Sequence, residues 1–408
     1  MTHAIPFIRS NGSTTLRVEV IRDVASWRGL QEEWDRVFGV AHNPSPPLHF
    51  DWLTNWWDVF GEAYSDGEQA LRILCFRQGP DLAGVLPLYL RKPLQLRDRG
   101  RRLCFIGTGE VEQEEICSDY LDLMCVEELR DPCSRLAWDT ICGTWKDDYD
   151  WLTLSEMSHD SSLAICAQGA DAPELNLEVS PSGVCPIADL TGGFEAYLSR
   201  LSSNTRQQAR RALRAAAQAG VTFEVAKDMA QAQEFFGQMV DLHQSRWQSV
   251  GEPGCFASSR FCDFHQKLLQ LWQPSGRAIL SRLSLNGEPL AVKYGFRVRN
   301  KYDFYQSGVK LDDIPGIKSA GIVSFLMLMQ HLTDQGVTAF DFLRGSSSYK
   351  QRLATTVQPL VQVRRVRWNW RTGTGLIADL GGRAIRKVKR SVSPEKRVAL
   401  PNGQPSEE

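Results

Sequence analysis

A chain of 408 residues outgrows the roughly 250–300 residues at which one core stops growing, so two domains are expected. Its composition, 42% hydrophobic and 23% charged, is that of a globular protein and excludes a disordered or fibrous one. A formal net charge of -1 excludes a DNA-coating or polyanionic protein, so any anionic partner has to be met by a local patch.

After a polar leader (1–15), LRVEVIRD alternates as a strand and Trp27, Leu30, Trp34 and Phe38 have helical spacing. Phe50, Leu53, Trp56, Trp57 and Phe60 repeat at i, i+3 and i+4, which reads as the core-facing stripe of a helix. Strands LRILCFR, LAGVLPLYL, RRLCFIG and YLDLMC follow, then a helix over about 127–145 and the strand WLTLSEM. Pro, Gly and Ser mark 170–190 as a connector between a first lobe, 16–169, and a second, 191–372. The second lobe reads as a short helix, a basic helix over 204–219, the strand VTFEVA, a long helix over 229–249 and another over 259–272. A meander RAILSRLSL, LAVKYGFRV, KYDFYQSGV comes next, its first turn signalled by Asn286 and Gly287 and its second by Arg299 and Asn300. A Gly-containing turn at 316–321, an apolar helix, the strand TAFDFLRG, a short helix near Tyr349 and the strand VQVRRVRWNW complete the lobe, ahead of a basic tail, 373–408. The expected fold class is α/β, two lobes that are each a mixed, mostly antiparallel sheet flanked by helices.

The 10 cysteines form no CxxC pair and no metal-like spacing with the 7 histidines, so no metal site is expected and the thiols read as free in a reducing compartment. The first residues lack the apolar core of a signal peptide, and no run approaches the ~18 apolar residues of a membrane span. A cytoplasmic protein is expected, touching a membrane at most peripherally through the basic tail.

The segments PLAVKYGFRVRNKYDFYQSGV, PGIKSAGIVSFLMLMQHL and FDFLRGSSSYKQRLA resemble the acetyltransferase domain named after the CelD/BcsL proteins of cellulose and exopolysaccharide production, within the GNAT superfamily. HFDWLTNWWDVFG, LAGVLPLYL and SDYLDL resemble the first lobe of the same proteins. The stretch 204–220 is also similar to the Arg-rich helix of Fem-type aminoacyl transferases, which use two GNAT-like lobes. The resemblance implies direct acyl transfer from acetyl-CoA or another acyl-CoA to an amine or hydroxyl, with a degenerate first lobe that shapes the acceptor cleft. It leaves two rivals: a Fem-type enzyme using aminoacyl-tRNA, whose binding would fall steeply with salt, and a non-catalytic partner of a polysaccharide machine.

Within that frame Gly316, Ile317, Lys318, Ser319, Ala320 and Gly321 are the candidate donor site. Small residues let the backbone close on a pyrophosphate, and the following helix start favours an anion. A plain turn capping a buried helix is the competing reading. Asp341 stands in an aromatic strand, where an acid needs a partner or a cleft, so it is a candidate base, or else an ion-pair partner of Arg344 or Arg352. Tyr349 and Lys350 are candidates to protonate the departing thiolate or hold an acidic group. His243 lies on an apolar helical stripe and is either a base or a hydrogen-bonded core histidine. Arg246 and Trp247 are placed in the acceptor cleft by the resemblance, and Arg344 at the end of its strand joins the substrate-binding candidates. Arg206, Arg210 and Arg214 repeat every fourth residue and form a ridge suited to phosphate oxygens, or a solvated face. Backbone N–H groups of the YDFYQSGV strand are expected to steady the oxyanion.

Overall fold

Alternation in the sequence becomes strands wherever apolar residues face one side, and the computed structural model describes residues 15–94, 100–169, 175–310, 319–345, 347–367 and 372. The first half contains β1 (Leu16–Ile21), α1 (Val24–Arg28), α2 (Gln31–Val40), α3 (Phe50–Tyr64), β2 (Ile73–Gln78), β3 (Asp81–Leu86), β4 (Leu88–Arg91), β5 (Arg102–Phe105), β6 (Met124–Cys125), α4 (Arg130–Trp138), β7 (Trp151–Ser158) and α5 (Ser162–Cys166). The second contains β8 (Glu178–Asp189), α6 (Phe194–Arg200), α7 (Ser203–Gln218), β9 (Thr222–Val225), α8 (Met229–Ser249), α9 (Ser259–Trp272), β10 (Ala278–Leu285), β11 (Glu288–Val298), β12 (Lys301–Val309), α10 (Ala320–Asp334), β13 (Ala339–Asp341), α11 (Ser348–Leu353) and β14 (Thr356–Val366). The mixed α/β fold class is as expected.

Among the described residues two sheets form. A small antiparallel one runs β1-β2-β3-β6, and a ten-stranded one runs β4-β5-β7-β14-β8-β13-β12-β11-β10-β9. The large sheet has two parallel pairs, β5 with β7 and β12 with β13. Between them lie β14 and β8, antiparallel to each other over a long register from Thr356 opposite Ile187 to Arg364 opposite Glu178. β14 pairs with β7 of the first half, and β8 pairs with β13 of the second. The second half therefore lends β14 to the edge of the first. This corrects the reading of 170–190 as a connector, because Glu178–Asp189 is a central strand. LAGVLPLYL is likewise two strands: Pro87 has no N–H for a ladder, and β3 and β4 on either side of it enter different sheets.

The aromatic stripe of α3 is buried, as its spacing implied, with Trp52, Leu53, Trp56 and Phe60 at most 1% exposed. Its rings reach across the halves: Trp52 contacts Phe264 and Trp272 of α9 and Phe296 of β11, and Asn55 Nδ2 donates to the Phe264 carbonyl at 2.8 Å. One core joins both halves, each large aromatic contributing roughly 1.5–3 kcal/mol of burial.

In the second half α8 and α10 cover opposite faces. Phe236 of α8 meets Tyr294 edge-on, and Phe325 of α10 meets Phe304, Phe340 and Phe342. β12 and β13 pair only at Lys301–Asp303 with Ala339–Asp341. Beyond that point the TAFDFLRG segment leaves β12: Leu343 takes φ +54, and Phe342 and Gly345 donate to the Pro186 and Val184 carbonyls of β8. A gap opens between the far half of β12 and Leu343–Gly345. On its other side β12 carries a bulge, since Tyr294 faces Gln306 and Gly295 faces Phe304, leaving Tyr305 as the extra residue.

Candidate active site

The floor of the gap is a buried ion network. Asp341 is 0% exposed; its Oδ2 accepts from Tyr120 Oη at 2.7 Å and lies 2.8 Å from Lys301 Nζ, while Oδ1 accepts from Leu343 N at 2.8 Å. Lys301 also pairs with Asp303 at 3.1 Å and lies over the Tyr120 ring. Burial opposes its charge, but Asp303 and Asp341 outweigh that and hold the ammonium above the ordinary lysine range. The partners of Asp341 are thus Lys301 and Tyr120, neither Arg344 nor Arg352, and the carboxylate is fully engaged.

Arg344 sits one step higher, gripped by the first half. Its backbone N donates to Asp119 Oδ2 at 2.8 Å, Nη1 to Glu156 at 2.8 Å and Nη2 to Glu115 at 2.7 Å. Glu156 comes from β7, whereas Glu115 and Asp119 are brought by the segment 106–121, which follows β5 and folds back toward the second half, Tyr305 Oη donating to the Ile116 carbonyl at 2.6 Å. Cys117, Tyr120, Glu156 and Leu343, all around this spot, have φ of +49, +68, +59 and +54. Such conformations are costly for residues other than glycine and concentrate where a site is held in place. Asp119 is 2% exposed and its Oδ1 has no hydrogen bond. Burial raises this carboxyl to about 7 against the pull of Arg344. Burial also raises Glu156. Neither Asp119 nor Glu156 was singled out from sequence; the signal available was the acid inside SDYLDL, the same kind of argument that found Asp341.

On the α8 side, His243 is 6% exposed. Trp247 Nε1 donates to its Nε2 at 2.8 Å, so the proton sits on Nδ1, toward Gln244 Oε1 at 3.1 Å. Burial lowers its basicity. Cys255 Sγ approaches the same Nε2 at 3.7 Å and accepts from Gln306 Nε2 at 3.5 Å. With burial pushing that thiol up to about 12, the pair is a neutral thiol beside a neutral imidazole, the opposite of an activated cysteine. Arg246 is near enough to Lys293 and Tyr349 to act on both electrostatically, which places the end of α8 over the gap.

Across the gap, Tyr349 stacks on Phe325 with ring centroids 5.4 Å apart, and burial raises its phenol. Lys350 Nζ donates to the Arg344 and Leu343 carbonyls at 2.8 and 3.2 Å, and burial lowers its affinity for the proton. Gly316, Ile317 and Lys318 lie outside the described residues. Ser319 caps α10, its Oγ accepting from Ile322 N at 3.4 Å, with Ala320 and Gly321 in the first turn. That helix start is on the side of the gap where β12 ends.

The Arg ridge lies apart from these groups. Arg206, Arg210 and Arg214 line a cavity of about 600 Å³ with Ser203, Asn204 and Gln207, and it includes none of the residues around the gap. Arg210 pairs with Glu195 at 2.7 Å, and Arg206 donates to the Ser199 carbonyl.

A bulged strand, a parallel neighbour that parts from it and a capped helix entered from its end make a frame for a donor threaded through a sheet. Residues 203–351 match the family model described as an acetyltransferase (GNAT) domain. Over that stretch the second half is similar to a GNAT acyltransferase domain. No curated protein matches the chain. Among solved structures the chain is similar to FemX, at 11% identity and TM-score 0.55 over 83% of this chain and 96% of that one. It is similar also to the C-terminal domain of a protein described as a lysylphosphatidylglycerol synthetase from Agrobacterium fabrum, at 14% identity and TM-score 0.50 over 81% and 95%. A conserved protein of unknown function from Bacteroides thetaiotaomicron matches at 10% identity and TM-score 0.52 over 83% and 97%. At these identities the likeness speaks for the fold. Among the described residues no group of side chains fits a metal ion and no helix is long and apolar enough to cross a membrane.

Proposed function

We propose that the chain transfers an acyl group from an acyl-CoA directly to an acceptor amine or hydroxyl, at the gap between β12 and β13. The observation that carries this reading is the gap itself, opening past Asp303 and Asp341 beside the bulge at Tyr305 and ending at the capped start of α10. The α10 N–H groups with Gly316–Gly321 would hold the pyrophosphate, and backbone N–H groups of the bulged strand would meet the thioester oxygen.

The acceptor enters from the opposite face, where Glu115, Asp119 and Glu156 converge on Arg344. Three acids facing one guanidinium favour a cationic acceptor, hence an amine over a hydroxyl. Asp119 takes one proton from the acceptor ammonium and frees the lone pair that attacks the thioester carbon; as the C–S bond breaks Tyr349 protonates the leaving thiolate, and the second proton shed by the nitrogen restores the phenol. Asp341 and Lys301 act as positioning residues, and the first half, 16–169, shapes the acceptor side while 191–372 holds the donor. Resemblance to CelD/BcsL-type proteins supports a role in polysaccharide or envelope synthesis in the cytoplasm.

Calorimetric titration of the full chain with acetyl-CoA, beside a Gly316→Asp and Gly321→Asp double variant, tests the donor. Micromolar binding lost in the variant is expected, and a folded wild type that binds no acyl-CoA overturns the reading. The cavity beside Arg206, Arg210 and Arg214 supports a second one, a Fem-type aminoacyl-tRNA donor. It requires binding that falls by orders of magnitude with added salt.

A further inference from the structure

Lys293 has no part in the roles assigned above, yet it stands beside the gap. It lies on β11 opposite Ser307 of β12, within the stretch where β12 has left β13, and it is 1% exposed. Its Nζ rests 3.9 Å from the Phe325 ring centroid and 5.6 Å from that of Phe304. Among the described residues it has no hydrogen-bond or ion-pair partner.

Burying an ammonium without a counter-charge costs more than contact with aromatic faces returns. The charged group that acts on it from the neighbouring helices is another cation, Arg246 of α8, and the residue stacked on the Phe325 ring is the phenol Tyr349 of α11. Burial, with a smaller push from Arg246, lowers the amine to about 7. A methionine or leucine would fill this aromatic pocket without that cost, so the missing counter-charge points to a ligand.

Resting on the acyl-CoA reading, we infer that Lys293 receives a carboxylate at the far end of the acyl chain, so that the donor is a dicarboxylic acyl-CoA. A donor laid from the start of α10 to the bulge of β12 passes Phe304 and Phe325, the two rings that flank the amine. Those rings accept the methylene part of a short acyl chain, and the ammonium accepts its terminal charge.

Titration of the full chain with malonyl- and succinyl-CoA against propionyl- and butyryl-CoA, neutral donors of similar length, tests this. The carboxylated donors are expected to bind about tenfold or more tightly, with the preference abolished in Lys293→Met and partly kept in Lys293→Arg. Both replacements suit an aromatic pocket, and thermal melts establish that they fold. Equal affinity for charged and neutral donors, or a preference that survives in Lys293→Met, overturns the inference and leaves the donor reading standing. Failure of the folded wild type to bind any of the four overturns both.

Discussion

Asp119 shows how one side chain is set for proton transfer and penalised for it. Its carboxyl ordinarily titrates near 3.8 and is raised to about 7 by burial. On the proposed mechanism kcat/KM rises with pH through about 7 as the base ionises. Asp119→Asn should lose roughly 10²–10³-fold in rate and flatten that limb. The stability sign is the reverse. The folded carboxyl keeps a proton that the unfolded chain releases above about 4, so this group's contribution to stability falls as pH rises from about 4 to about 7. Asn removes that loss while keeping an acceptor for Arg344 N–H, so the variant should melt no lower than wild type at pH 5 and higher at pH 8. A variant that keeps full activity at pH 8 would remove Asp119 from the mechanism. Asp341, the acid favoured from sequence, has both oxygens occupied, so Asp341→Asn should act chiefly by loosening Lys301 and Tyr120.

At the scale of elements, close approach of α8 to β12 positions His243, Arg246 and Trp247. A Cβ on Gly308 would collide with the Met239 carbonyl and the Leu242 side chain. Gly308→Val should therefore cost about 1–3 kcal/mol in urea denaturation and weaken acyl-CoA binding by lifting α8; unchanged stability would show that the helix has room to move. Much at this scale was legible in the sequence because it is local. Asn286 and Gly287 adopt φ of +51 and +84, as a tight hairpin turn requires, and Arg299 adopts +53. The stripe of α3 faces the core as its spacing implied. What was not legible depends on partners distant in the chain. YLDLMC reads as a strand, but only Met124–Cys125 pairs, because Asp119 and Tyr120 are drawn toward Arg344 and Asp341, more than 200 residues away. No local periodicity encodes such a contact. The same holds for β8, whose Pro, Gly and Ser content suggests a linker and whose neighbours on both sides come from the far end of the chain.

For the whole molecule, a shared sheet and a shared core decide how the two halves depend on each other. β14 of the second half completes the sheet beside β7 of the first, and Trp52 of the first half packs on Phe264, Trp272 and Phe296 of the second. The candidate site has the same construction: its gap belongs to the second half, whereas Glu115, Asp119, Tyr120 and Glu156 come from the first. Neither half is then expected to melt independently, although the chain is long enough for two domains. Calorimetry of the full chain should give one unfolding transition with matching calorimetric and van't Hoff enthalpies. Trp52→Ala, removing a ring between the halves, should cost about 3–5 kcal/mol and lower that single midpoint without splitting it. Acyl-CoA binding should disappear along the same curve, because the acids that hold Arg344 leave with the first half. Two resolved transitions, with donor binding retained after the first, would mean instead that the second half builds its site alone and that the inter-half contacts serve only the acceptor.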